Sequence, residues 1–269
     1  MDIERRRVLK GTGTAGMLAA AFAAGILKPS ALLAAWNQRA FDAKSLADAL
    51  EASGLSGAAL SKSIVIEAPD FAEDGAFVPV QITSNIAGTE AIAIVIDKNP
   101  YPYIARFDLS GGAQPFVALR VRVAESSPLR VLVAAGGKHY GATKDVKVTA
   151  GGCGGAAEAP GPSEKPEPMK IRAQLEGDAA HVRVLMAHPM ENGLRKTAGG
   201  QAIPEHFIQG VSVQLNGRTV LAAEIGRSVS TNPFFAFKVK GAKAGERLAI
   251  TWKDNKGARR TDEATVSAG

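Results

Sequence analysis

The chain has 269 residues, of which 46% are hydrophobic, 22% charged and 6% aromatic, with 29 glycines, one cysteine and a formal net charge of +6. That length suffices for one large or two small domains, and the composition suits a soluble globular protein of short strands and many turns. The charge is too modest for a nucleic-acid reading, which no RNP, helix-turn-helix or finger pattern supports, and a single cysteine excludes an internal disulfide.

Residues 1–35 have the pattern of an export signal. Glu4-Arg5-Arg6-Arg7-Val8-Leu9-Lys10 resembles a twin-arginine motif built on Arg5 and Arg6, and a mildly apolar run from Thr12 to Leu27 follows it. That run falls short of the roughly 20 residues a membrane span needs. Small residues at Ala31, Ala34 and Ala35 supply a processing site. The expectation is cleavage near Ala34 or Ala35, delivery to the periplasm by the twin-arginine pathway, and no membrane association afterwards. Removing five Lys/Arg and two Asp/Glu with this segment lowers the formal charge from +6 to +3.

The mature chain, residues 36–149 first, opens on one amphipathic helix from Trp36 to Glu51, with Trp36, Ala40, Ala43, Ala47 and Leu50 on one stripe and Ser53-Gly54 as its stop. From Ser63 the period changes to two. Strands are expected at Ile64–Ile66, Val78–Ile82, Ala91–Ile96, Ile104–Leu109, Ala118–Val123, Arg130–Val133 and Lys144–Thr149, with turns at Asn99-Pro100 and Gly111-Gly112. One helix and about seven short strands indicate an immunoglobulin-like β-sandwich.

The last of these strands runs into Gly151-Gly152-Cys153-Gly154-Gly155, and the segment 150–168 continues through Pro160, Pro162, Pro166 and Pro168 as an extended linker. Four glycines around a thiol make a poor core and a good flexible arm. With Thr149 as the last anchored residue, Cys153 reaches about 13 Å from the sandwich. Residues 169–269 are again β-patterned. Ile171/Ala173/Leu175, Val182/Val184/Met186, Val211–Leu215, Thr219–Ile225, Phe235/Phe237 and Leu248/Ile250/Trp252 alternate, Asn216-Gly217 signals a type I′ hairpin, and a last strand ends at Val266. The fold class is therefore all-β, with two sandwiches, the first preceded by a helix.

Enzyme chemistry finds little support. His139, His181, His188 and His206 have no metal-ligand spacing, so no metal site is expected. No nucleophile elbow or phosphate loop occurs. A cysteine among glycines has no firmly held base and no close charge to activate it. Such a thiol is a weak catalyst but a good covalent carrier, served by partners that bring their own active sites. Tyr101, Tyr103 and Tyr140 are expected as sandwich-edge aromatics rather than as lining for the arm's base.

The helix containing Trp36-Asn37 and Phe41-Asp42-Ala43-Lys44-Ser45, and the sandwich ending in the glycine-flanked Cys153, resemble SoxY, the sulfur carrier of thiosulfate oxidation. The second half is similar to its partner SoxZ, through Val184-Leu185-Met186-Ala187-His188-Pro189-Met190-Glu191-Asn192-Gly193-Leu194-Arg195, Ile203-Pro204-Glu205-His206-Phe207-Ile208, Asn232-Pro233-Phe234-Phe235 and Thr261-Asp262-Glu263-Ala264-Thr265. The resemblance implies a non-catalytic carrier with no permanently bound cofactor, its halves packed together in one chain. Cys153 would be the sulfur attachment residue, and Gly151, Gly152, Gly154 and Gly155 its flexible arm. Its implied partners are a c-type cytochrome that loads thiosulfate, a dimanganese enzyme that hydrolyses sulfate off, and a molybdenum–haem sulfane dehydrogenase. Here the arm does not end the carrier chain but continues into the SoxZ-like half. Fused carriers of this kind also occur beside quinoprotein dehydrogenases, which leaves a different cargo, or an adaptor with an incidental thiol, as the alternative.

Overall fold

The computed structural model describes residues 36–152, 167–197 and 199–269. Residues 1–35, read above as an export signal with Arg5 and Arg6, and Cys153, Gly154 and Gly155 of the expected arm, lie outside the described residues.

Two short helices replace the single expected one: α1 (Gln38–Asp42) and α2 (Leu46–Ser53). The chain leaves the helix at Ala43, where ψ is 140°, and restarts at Ser45, whose side chain accepts from the Asp48 backbone N–H as an N-cap. Gly54 closes α2 in the left-handed conformation, φ 70°. The break turns Ala47, placed on the apolar stripe by spacing alone, to the surface, while Ala40, Phe41, Ala43 and Ala49 are buried.

Nine strands follow in the first half: β1 (Ala59–Leu60), β2 (Ile64–Glu67), β3 (Phe71–Asp74), β4 (Val78–Ser84), β5 (Thr89–Ile96), β6 (Tyr103–Leu109), β7 (Ala113–Val121), β8 (Ser127–Ala135) and β9 (Lys138–Ala150). The second half contributes β10 (Lys170–Glu176), β11 (Ala179–Leu185), β12 (Ile208–Leu215), β13 (Arg218–Ile225), β14 (Phe234–Lys240), β15 (Arg247–Asp254) and β16 (Arg259–Thr265). Asn216 and Gly217 both have positive φ, 49° and 79°, as the β12–β13 type I′ turn requires.

The strands form two sheets, and both run through the two halves. One has the order β1-β9-β8-β5-β6-β13-β12-β15-β16 with β3 beside β9; the other is β10-β11-β14-β7-β4-β2. The halves meet edge to edge twice. β6 pairs antiparallel with β13, Ala105 opposite Ile225 through Leu109 opposite Leu221. β7 pairs antiparallel with β14, Leu119 opposite Phe235 and Val117 opposite Phe237. Each half thus covers strand edges that would be open in the other alone. One apolar core passes beneath both seams, and Phe107 of the first half meets Phe235 of the second edge-on at 5.6 Å.

The helices lie on the outer face of the larger sheet, where Phe41, Ala43 and Ala49 pack on Ala93, Val95, Tyr103 and Leu132. This cover explains why β5 is buried on both faces from Ala91 to Ile96 and does not alternate polar with apolar.

Candidate functional site

The arm's root is a crossing of three backbone segments. Val123 N–H donates to Gly75 O at 2.7 Å, Gly152 N–H to Val123 O at 2.9 Å, and Gly75 N–H to Ala150 O at 2.9 Å. No side chain fits there: a Cβ would lie 2.4 Å from Val123 O at Gly75, 2.2 Å from Ala124 O at Gly151 and 2.0 Å from Gly75 O at Gly152. This corrects the sequence reading of Gly151 and Gly152 as free arm. They are glycines because backbone passes against backbone, and Gly152 is buried and held. The chain is held through Gly152, so Thr149, from which the reach of about 13 Å was counted, is not the last anchored residue. Around this root, Phe71, which stands opposite Lys147 near the end of β9, is 58% exposed and Phe77 is 40% exposed.

The segment that holds the arm is itself held by the other half. Buried Asn99 donates to Arg122 O at 2.7 Å and accepts from Ala124 N–H at 2.8 Å, fixing the turn on both sides of Val123. The buried Arg122 guanidinium donates through Nη1 to Met190 O (2.7 Å), Arg227 O (2.9 Å) and Val229 O (3.1 Å), and through Nη2 to Thr231 Oγ1 (2.7 Å). The two stretches that stand out in the sequence, Gly151-Gly152 and His188-Pro189-Met190, are therefore joined through one arginine.

A second arginine seals the same junction from the helix side. Arg227 forms a two-pronged pair with Glu205 (2.8 and 3.0 Å), pairs with Asp42 Oδ1 at 2.8 Å and donates to Phe41 O at 3.1 Å. Its guanidinium lies 4.3 Å from the Tyr101 ring centroid and 4.8 Å from that of Phe207. Trp36 stacks on Phe41 at 5.0 Å and donates from Nε1 to Ile225 O at 3.0 Å, which straps the first half to the second.

His188, His206 and Asp254, far apart in the sequence, come together in the second half. Asp254 Oδ2 is 2.9 Å from His206 Nε2 and 3.5 Å from His188 Nε2, while its Oδ1 accepts from the Lys256 and Ala258 backbone N–H groups. The trio has the donor types of a cation site. The tautomer of His188 argues otherwise. Its Nδ1 accepts the Met190 backbone N–H at 3.1 Å, so in the neutral ring the proton sits on Nε2 and points at Asp254, leaving no lone pair there for a metal. Burial, with the charge of His206 nearby, pushes the His188 imidazole down to about 4. Burial raises the Asp254 carboxyl, but the His206 hydrogen bond and the Ala258 N–H outweigh it and hold the group below its usual range. The cluster is a hydrogen-bonded clasp that fixes the loop carrying Met190.

The remaining predicted residues lie elsewhere. His139 stands opposite Ala134 on β9, and His181 contacts Glu176 at 3.0 Å on the outer face of the smaller sheet. Tyr103 is buried against Phe41, which raises its hydroxyl, Tyr101 sits in the Arg227 junction with its hydroxyl 3.3 Å from Glu205, and Tyr140 is opposite Val133, ten residues along β9 from Ala150. None lines the arm's root.

Fold and site define a two-part β-sandwich whose long strand β9 runs into a glycine crossing at Gly152, one residue before Cys153 in the sequence. The sequence model described as "Sulfur oxidation protein SoxY" matches residues 52–153, and that described as "Sulphur oxidation protein SoxZ" matches 169–265. The solved structure of the sulfur carrier protein SoxY from Chlorobium limicola f thiosulfatophilum is 41% identical, covering 38% of this chain and 96% of its own, with a TM-score of 0.35. The chain belongs to the SoxY family and carries a SoxZ half fused behind it. A biofilm-associated protein BSP domain covers 86% of this chain at 12% identity, but the chain spans only 34% of it, and its TM-score of 0.25 carries no argument. No curated protein sequence matches the chain.

Proposed function

We propose that this protein is a periplasmic covalent sulfur carrier in thiosulfate oxidation, with Cys153 as the attachment point. The observation that carries this reading is the root: three backbone segments cross at Gly152, one residue before the only cysteine in the chain. A rigid root with the thiol immediately beyond it sets where the load is presented, and Arg122 makes that position depend on the SoxZ half. Loading would join the thiol sulfur to the sulfane sulfur of thiosulfate, releasing the thiol proton and two electrons to a haem-containing partner. Hydrolysis of the sulfur–sulfonate bond by a dimanganese partner would release sulfate and leave a persulfide for a molybdenum–haem dehydrogenase. Catalysis stays with the partners; the carrier supplies the sulfur atom, its position and its passage between sites.

A Cys153→Ser strain tests the reading in cells. The carrier account expects loss of thiosulfate-dependent growth and sulfate release. Retention of both would make the chain an adaptor with an incidental thiol. Turnover by the purified chain alone would make it an enzyme.

A further inference from the structure

The outward face of the smaller sheet carries a groove of about 360 Å³ that no step of the carrier reading uses. Register places Lys170 opposite Leu185 and Leu185 opposite Phe234, and Arg120 stands beside Phe234 with its guanidinium 5.3 Å from the ring centroid. This row crosses four strands. Two residues along, Arg172 stands opposite Arg183. Like charges directly opposite on neighbouring strands destabilise a sheet. They are only partly offset here, by Gln174 accepting from Arg172 at 3.0 Å and Glu176 lying 3.6 Å from Arg183. Charges that blunt an edge strand account for Lys170 and Arg172 on β10. They do not account for Arg183 on the next strand, or for Arg120 three strands in.

We infer that this groove docks an acidic, apolar-anchored segment of a partner protein. The dimensions exclude a small anion as the occupant that satisfies the whole array. Lys170 and Arg120 are three strand spacings apart, about 14 Å, with Leu185 and Phe234 between them and the arginine pair about 7 Å to one side. An extended segment of about four residues spans that row, with carboxylates at its ends and an apolar side chain on Leu185 and Phe234. The surface is composite, since Arg120 comes from the SoxY half and the other cations from the SoxZ half, so it exists only when the halves are joined. It also lies near the crossing at Gly152. Arg120 precedes Val123, the residue that holds Gly152, by three positions on the same stretch of chain, about 10 Å. The inference rests on the carrier reading for why a partner would dock there.

The test uses the full mature chain and a capped peptide of alternating glutamate and leucine, with a glutamine–leucine twin and sodium sulfate as comparisons. The acidic peptide is expected to bind with an affinity that falls as salt rises, and to weaken about tenfold or more in Arg120→Glu/Arg172→Glu. The milder Arg120→Gln/Arg172→Gln, on an exposed face and folded by its circular dichroism, should weaken it in the same direction. Equal binding of the glutamine twin, unchanged binding to both variants, or displacement of the peptide by millimolar sulfate would overturn the proposal. Cys153→Ala should bind the peptide like the parent chain, so failure of the groove and failure of the carrier reading are separately visible.

Discussion

At the scale of single residues, the glycines before Cys153 hold the fold together. A Gly152→Ala substitution would put a methyl group 2.0 Å from Gly75 O, where only backbone can yield. It should cost on the order of 2–4 kcal/mol and lower the melting temperature by roughly 2–4 °C per kcal/mol, as read by calorimetry. An unchanged melting temperature would mean the crossing is not formed in solution. His188 makes a second prediction. The unfolded chain protonates this ring near its ordinary 6.5, whereas the folded chain takes the proton only near 4, because burial and the nearby charge of His206 oppose it. Its depressed value means that stability is whole above about pH 6.5 and is lost as pH falls toward 4, by on the order of 3 kcal/mol. Asp254, also depressed, adds a loss below the ordinary carboxylate range. Denaturant midpoints measured across pH 7 to 4 should fall steeply in the parent chain and more gently in His188→Gln.

Among the elements, the seam between the halves is governed by two arginines that serve different ends of it. Arg122→Met would leave Met190 O, Arg227 O, Val229 O and Thr231 Oγ1 without a buried donor. Arg227→Met would leave Glu205 and Asp42 without their shared cation. Removing one partner from a buried charged network costs about 3–5 kcal/mol, so each variant should be strongly destabilised in a urea titration. A loss under about 1 kcal/mol in both would show that the strand pairing carries the seam without them. The sequence displayed the elements better than it displayed their joints. Period-two alternation marked Lys170–Glu176, Val211–Leu215 and Leu248–Trp252 because each has one face in the core, and Asn216-Gly217 announced its turn. β3 escaped because Phe-Ala-Glu-Asp is short and does not alternate, and the helix break at Ala43 was hidden by alanines that fit either register. The pairing of β6 with β13 joins residues more than a hundred positions apart, and His206 and Asp254 are separated by 48, so no local pattern reports either. Glycine misled in one further respect, since freedom and close approach use the same residue, and Gly151-Gly152 serve the second.

Over the whole molecule, fusion has made one sandwich of two sheets, each continuous from the SoxY half into the SoxZ half. The covalent link between the halves is therefore not what keeps them together. A protease site inserted between Ala159 and Pro166 and cut after folding should leave two fragments that co-elute as one species at micromolar concentration. Separation on the column would mean that the shared sheets do not hold without the linker.

The central claim is that Cys153 carries sulfur, and intact-mass measurement of the protein isolated without reductant from cells oxidising thiosulfate addresses it most directly. The account predicts species heavier by one S2O3 unit and by one sulfur atom, both mapping to Cys153, both removed by dithiothreitol and both missing from Cys153→Ala. A thiol found unmodified in cells that are actively releasing sulfate would contradict it.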